Sequence, residues 1–184
     1  EIIPELKKMT HALHAEGAKA AIQLGHCGNM THFYTCGQIP IGASTGFNLY
    51  SPTIVRGMKE LEILQMVKDF GTAVHLARKA GFDAVEIHAG HGYLISQFLS
   101  PYTNKRKDKY GGSLENRMRF MQMVMKEVMQ AAGDDMAVMV KVNMYDGFKS
   151  GMQMDECILV AKELERLGAH ALVLSAGFVS KAPM

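Results

Sequence analysis

The sequence predicts an α/β fold, a partial (β/α)8 (TIM) barrel in which four parallel strands alternate with helices. Three observations predict it. Helical and strand periods alternate along the chain in the order α-β-α-β-α-β-α-β. The strands are nearly all apolar, as in parallel sheets covered on both faces. Polar residues collect directly after the strands, in "QLGHCG", "HAGHGY", "KVNMYDG" and "SAG", at the carboxyl ends where barrels and doubly wound sheets both place their chemistry. Both architectures accommodate the order. No GxGxxG follows a strand, which weighs against the dinucleotide-binding open sheet, and four strands with loops of this size make about half of a barrel of roughly 250 residues.

The elements follow in order. "EIIPELKKMTHALHAEG" reads as a helix, and "AKAAIQL" (18–24) as the first strand. A long glycine-rich segment runs from there to about Val55. "KELEILQMVKDFGTAVHLARKAG" then places Leu61, Leu64, Val67, Phe70, Val74 and Ala77 at the spacing of one helix face, with Gly81 where a left-handed cap is wanted. "DAVEIHA" is the second strand. In "SLENRMRFMQMVMKEVMQAAG", Ser113 is the expected N-cap, Asn116 stands where a capping box has Glu or Gln, and Leu114, Met118, Met121, Met125 and Val128 run down one side to Gly133. "MAVMVKV" is the third strand, "MDECILVAKELERLG" the next helix, closed by Gly168, and "HALVLSAG" the fourth strand. The methionines of the third helix, including Met123 and Met129, are expected as outer-ring core.

Composition bounds the class. The 184 residues are 48% hydrophobic and 21% charged with a net charge of +2, ordinary for a globular protein and far from disorder. The densest basic run, "NKRKDKYGG", is broken by Asp108 and lies in a loop, so nucleic acid is not expected as a partner. No apolar run approaches about 18 residues, so no membrane partner is expected. Three cysteines, Cys27, Cys36 and Cys157, have no framework spacing, which favours a reducing compartment and a cytoplasmic location. The chain opens on Glu1 in a helical run and stops just after a strand; it is expected to be an internal piece of a longer protein.

The densest chemistry lies in "VEIHAGHGYLISQF" (85–98), with His88, His91 and Tyr93 at a strand end. A histidine pair three apart can bind zinc on a helix, but HExxH is absent and Gly90 and Gly92 argue for a turn. The pair is better suited to donating two hydrogen bonds to one ligand oxygen, stabilising charge that develops there. Tyr93 suits a proton donor to a carbanion-like carbon. Packing roles remain the competing explanation for each residue taken singly. His26, Cys27, His32 and Cys36 follow no standard zinc spacing, and no metal is expected. Arg117, Glu115 and Tyr110 are expected to be structural, fixing the start of the long helix.

The segment "GFDAVEIHAGHGYLISQFLSPYTNKRKDKYGGSLENRMRF" (81–120), with "HAGHGYL", "FLSP" and "YGGS" inside it, closely resembles the central signature of the Old Yellow Enzyme family of FMN-dependent ene-reductases and NADH:flavin oxidoreductases. Weaker similarity extends over the whole chain. The resemblance implies residues 1–184 as the central part of a single FMN-binding barrel domain, about its third to sixth strands, with the N- and C-terminal barrel segments absent. It implies catalytic roles for Tyr93, His88 and His91: the two histidines hold the substrate's electron-withdrawing oxygen, in the His/His rather than the His/Asn version, and Tyr93 protonates the alpha carbon after hydride from flavin reaches the beta carbon. Gln23 matches the glutamine that pairs with the flavin pyrimidine edge. Lys141 stands where many members have an arginine beside that edge, supplying charge without the guanidinium fork.

The expected cofactors are FMN and NADH or NADPH, and an iron–sulfur cluster would belong only to segments beyond this chain. The expected partner is a small molecule with an activated alkene of the enone or enoate type, and homo-oligomerisation stays open. Two other readings compete: a relative working in the dehydrogenase direction, and an inert barrel fragment or interaction subunit without its own flavin.

Overall fold

The computed structural model describes residues 2–48 and 52–180. Glu1, part of the glycine-rich segment (49–51) and the tail 181–184, on which the expectations about the chain's ends partly rest, lie outside the described residues. Helix α1 (Ile3–Ala15) begins with proline in its first turn, where the missing N–H costs nothing, and carries Glu5 early and His14 late, in keeping with the helix dipole. Strand β1 (Ala21–Leu24) follows. The short helix α2 (Phe33–Cys36) and strands β2 (Ile41–Gly42), β3 (Gly46–Asn48) and β4 (Thr53–Gly57) fold the glycine-rich segment. Then come α3 (Glu60–Lys79), β5 (Ala84–Ala89), the buried six-residue α4 (Leu94–Leu99), α5 (Leu114–Ala132), β6 (Ala137–Asn143), α6 (Met154–Arg166) and β7 (Ala171–Ser175).

The principal sheet has the order β1-β5-β6-β7, parallel throughout. A second, three-stranded sheet of order β2-β4-β3 lies in the segment between β1 and α3, where the sequence shows no strand period. The alternation of parallel strands and helices is that of a partial TIM barrel, as expected.

Period two sorts the side chains of the main sheet. Val85, Ile87, Val138, Val140 and Val142 are buried and share a core with residues of α3, α5 and α6 such as Val74, Phe120, Val124 and Val160. Each such burial contributes roughly 1.5–3 kcal/mol. Helix α3 meets α5 closely at Gly71, where a Cβ would stand 2.7 Å from the Glu127 side chain. The alternate positions form the other face, where the polar Gln23, Glu86, His88 and Lys141 stand beside Met139 and Val173. The expectation of strands covered by apolar packing on both faces therefore needs correction: one face is core, and the other is a row of functional groups on what would be the inside of a barrel.

The face of α3 also differs from its expected register. Val67, Phe70, Val74 and Ala77 are buried, but Leu61 is 79% exposed and Leu64 38% exposed, while Ile63 fills the core. The first turn is instead fixed by Glu62, whose carboxylate accepts the Lys59 backbone N–H at 2.7 Å and both guanidinium arms of Arg56 from β4. In α5, Ser113 caps as expected, accepting from the Asn116 backbone N–H at 3.4 Å. Met121 and Met125 are fully buried, and Met118, Met123 and Met129 pack against the same core.

Candidate active site

The carboxyl end of β5 carries His88, and the chain then turns sharply. A Cβ at Gly90 would sit 2.8 Å from the Asn143 amide oxygen, and one at Gly92 (φ +83°) would sit 2.5 Å from the Phe178 ring. Between them, His91 adopts φ +59°, a left-handed conformation unusual for a non-glycine residue. Neighbouring strands hold it there. The His91 backbone N–H donates to Asn143 Oδ1 at 3.0 Å, its carbonyl accepts from the Val179 N–H at 3.1 Å, and its Nε2 lies 2.6 Å from Ser175 Oγ. Asn143 is itself oriented, donating to Asp146 Oδ1 at 3.1 Å and to the Gly177 carbonyl at 2.9 Å.

Tyr93 immediately precedes α4, and that helix is anchored by the fully buried Gln97. The Gln97 amide donates to the carbonyls of Gly92 (2.7 Å) and Cys27 (3.2 Å) and accepts from the Asn29 N–H (3.1 Å), tying the loop after β1 to the histidine turn. The result is a cluster of three rings. His88 and His91 have centroids 5.1 Å apart at 66°, and His88 and Tyr93 have centroids 4.9 Å apart at 53°.

Electrostatics fix the protonation of the pair. Burial, reinforced by His91 and by the Lys141 ammonium, pushes the His88 pKa down to about 4 against an opposing pull from Glu86. Burial and Lys141 likewise lower His91. Both imidazoles are therefore neutral at neutral pH, and each carries one N–H. His88 makes no side-chain hydrogen bond among the described residues, and its Nδ1 is buried without a partner. An orphaned buried nitrogen costs about 1–3 kcal/mol, which marks this end of the sheet as shaped for something besides the protein. The Tyr93 hydroxyl likewise has no hydrogen-bond partner among the described residues.

The second group of expected residues lies on the same face of the sheet. Gln23 is in register with Glu86, and His88 with Lys141. Gln23 Nε2 donates to Glu86 Oε2, and the Lys141 ammonium stands 3.7 Å from the same oxygen. This donor set fits the polar edge of a flavin: Gln23 keeps its carbonyl oxygen, and Lys141 keeps donors that its one loose ion pair does not use.

His26, Cys27, His32 and Cys36 do not converge. Among the described residues no three His, Cys, Asp or Glu side chains come together as a metal site. His26 Nδ1 accepts from the Gly28 N–H and His32 Nδ1 from the Tyr34 N–H. Nor is any described helix long and apolar enough to cross a membrane. Arg117 is structural as expected, buried with its guanidinium bonded to Leu99 and Gly112 carbonyls and paired with Glu156. Glu115 is exposed and takes no ion-pair partner among the described residues. Sequence reasoning passed over Glu86, Asn143, Ser175 and Gln97. Only Glu86 left a local signal: it stands two residues before His88 in a strand and so shares its face.

The model of the NADH:flavin oxidoreductase / NADH oxidase family matches residues 1–179. The chain belongs to this family. It is a family of flavin-dependent oxidoreductases that draw electrons from NADH or NADPH. A 4,4'-dithiodibutanoate disulfide reductase of Rhodococcus erythropolis is 39% identical over 95% of the chain and 44% of the relative. An NADPH dehydrogenase of Listeria monocytogenes serotype 4b is 40% identical over all of the chain and 53% of the relative. Among solved structures, the old yellow enzyme homologue from Zymomonas mobilis superposes with a TM-score of 0.87 at 30% identity, over 96% of the chain and 53% of that protein. The chain thus spans about half the length of the curated relatives it matches.

Proposed function

We propose that this chain is the central part of an FMN-dependent barrel that reduces an activated C=C bond with electrons from NADH or NADPH. The observation that carries the proposal is the pair of neutral imidazoles beside a phenol with an unbonded hydroxyl at the carboxyl end of the sheet. His88 and His91 each offer one N–H to the electron-withdrawing oxygen of an enone or enoate. A donor that is already in place when charge develops on such an oxygen lowers the barrier by roughly 3 kcal/mol. Neutrality matters here, because a charged imidazolium would bind anions indiscriminately, whereas a neutral donor favours an oxygen that gains charge during the reaction.

Tyr93 supplies the proton that the alpha carbon needs. FMN, when bound, supplies the hydride for the beta carbon and is recharged by the nicotinamide coenzyme. Gln23 offers the cofactor an amide that can both donate and accept, and Lys141 offers it positive charge. Hydride and proton together add one molecule of hydrogen across the alkene, so the bookkeeping of atoms and electrons closes.

The test uses the full-length protein purified from its native coding sequence. It should carry the yellow absorbance of flavin, lose that colour with NADH or NADPH in the absence of oxygen, and recover it when a cyclic enone is added. A colourless protein, or a bleached one that the enone does not reoxidise, overturns the proposal.

A further inference from the structure

The inner face of the sheet holds one carboxylate that the reaction does not consume. Glu86 sits between Gln23 on β1 and Lys141 on β6. Its Oε2 accepts the Gln23 amide N–H and pairs with the Lys141 ammonium at 3.7 Å. Its side chain is only 14% exposed, while that of Lys141 is 27% exposed. A carboxylate kept so far from water needs a reason.

Two physical consequences follow from its place. An ionised carboxylate only accepts hydrogen bonds, so it selects which end of the Gln23 amide turns toward it: the nitrogen faces Glu86, and the carbonyl oxygen is left for another partner. Its charge, moreover, opposes that of Lys141. The pair therefore presents less positive charge to anything bound across it than Lys141 alone would. In a partly buried site an unscreened unit charge stabilises a neighbouring anion far more strongly than it would in water.

We propose that Glu86 is a positioning residue of the cofactor site, which orients the Gln23 amide and partly cancels the Lys141 charge, and so sets the bound flavin's reduction potential lower than Lys141 alone would set it. This rests on the reading of Gln23 and Lys141 as flavin contacts. Reduction places negative charge on the flavin, so a nearby carboxylate disfavours the reduced form and a nearby ammonium favours it. With both present, the cofactor stays a ready hydride donor instead of being trapped in its reduced state.

The experiment is a redox titration of the full-length flavoprotein and of its Glu86→Gln, Glu86→Ala and Glu86→Asp variants. Flavin absorbance in the unaltered protein tests the underlying reading first; its absence removes that reading, independently of any variant. Given flavin, Glu86→Gln and Glu86→Ala should raise the potential, with the reduced form favoured about tenfold more than in the parent, about 30 mV for a two-electron couple. Glu86→Asp keeps the charge and should stay near the parent value. The inference is overturned if the neutral variants bind flavin with the parent's potential, if Glu86→Asp shifts as far as Glu86→Gln, or if neither neutral variant folds, since Glu86 would then be structural.

Discussion

Tyr93 lies against His88 in a ring contact of 4.9 Å, yet its hydroxyl is bonded to nothing among the described residues. A tyrosine that merely capped a packing layer would spend its hydroxyl on a backbone carbonyl. The difference can be measured. Tyr93→Phe should slow alkene reduction by about 10²- to 10⁴-fold, the usual contribution of a positioned acid, while leaving flavin reduction by NADH or NADPH nearly unchanged. Rapid-mixing measurements of the two half-reactions check this, and equal losses in both would make the residue structural. At this scale the sequence was informative wherever the candidate residues were local: His88, His91 and Tyr93 lie within six positions of one another. Asn143 and Ser175, which place His91, stand more than fifty residues away and become its neighbours only through strand register. Nothing local in the sequence announces that register.

The helices stand where their period says, and their errors lie in the first turns and the short pieces. Leu61 and Leu64 fit the face of α3 by spacing, but the helix enters the core one position away, at Ile63, because Glu62 is committed to Arg56 and to the Lys59 backbone. Helix α4, six residues and wholly buried, shows no amphipathic period because it has no exposed side. Strands β2, β3 and β4 are two to five residues long, too short for alternation to register. The start of α5 was better marked, and its anchor invites a test. Arg117 is 4% exposed and joins α5 to α6 through Glu156 and to the end of α4 through the Leu99 carbonyl. Removing one partner of a buried ion pair costs about 3–5 kcal/mol; Glu156 keeps some contact with water, so Arg117→Met should cost roughly 2–3 kcal/mol. Urea unfolding checks it, with a drop in the midpoint at unchanged slope expected. An unmoved midpoint would mean the pair behaves as a surface salt bridge.

On the acid side of neutrality, stability of the whole molecule should depend on pH in one direction. Burial holds His88 near 4, well below its ordinary 6.5, and lowers His91 and His26 also. As pH falls below 6.5 the unfolded chain takes up protons that the native histidine refuses until about 4. Stability is therefore complete above that upper value and declines through the interval. Carboxylates continue the trend lower down, since Glu62, held near 2 by Arg56, and Asp83, lowered by the Ala20 N–H, Lys19 and His14, lose their partners only when protonated. The thermal midpoint followed by circular dichroism should be level at neutral and mildly alkaline pH and fall on acidification. A midpoint unchanged down to about pH 5 would contradict the burial of the imidazoles. At this largest scale the sequence conveyed the architecture through alternation of periods, but not that the second face of the sheet carries a polar row, because Gln23, Glu86 and Lys141 each look solitary until the strands align.

The left-handed backbone at His91 restricts what evolution or an engineer can write at that position. With φ at +59°, the residues that tolerate the conformation are chiefly glycine, asparagine, aspartate and histidine. Of these, only asparagine and histidine bring a side-chain N–H. Glutamine, chemically the twin of asparagine, is disfavoured by geometry before chemistry is consulted, so the proposed donor role leaves this position an alphabet of two letters.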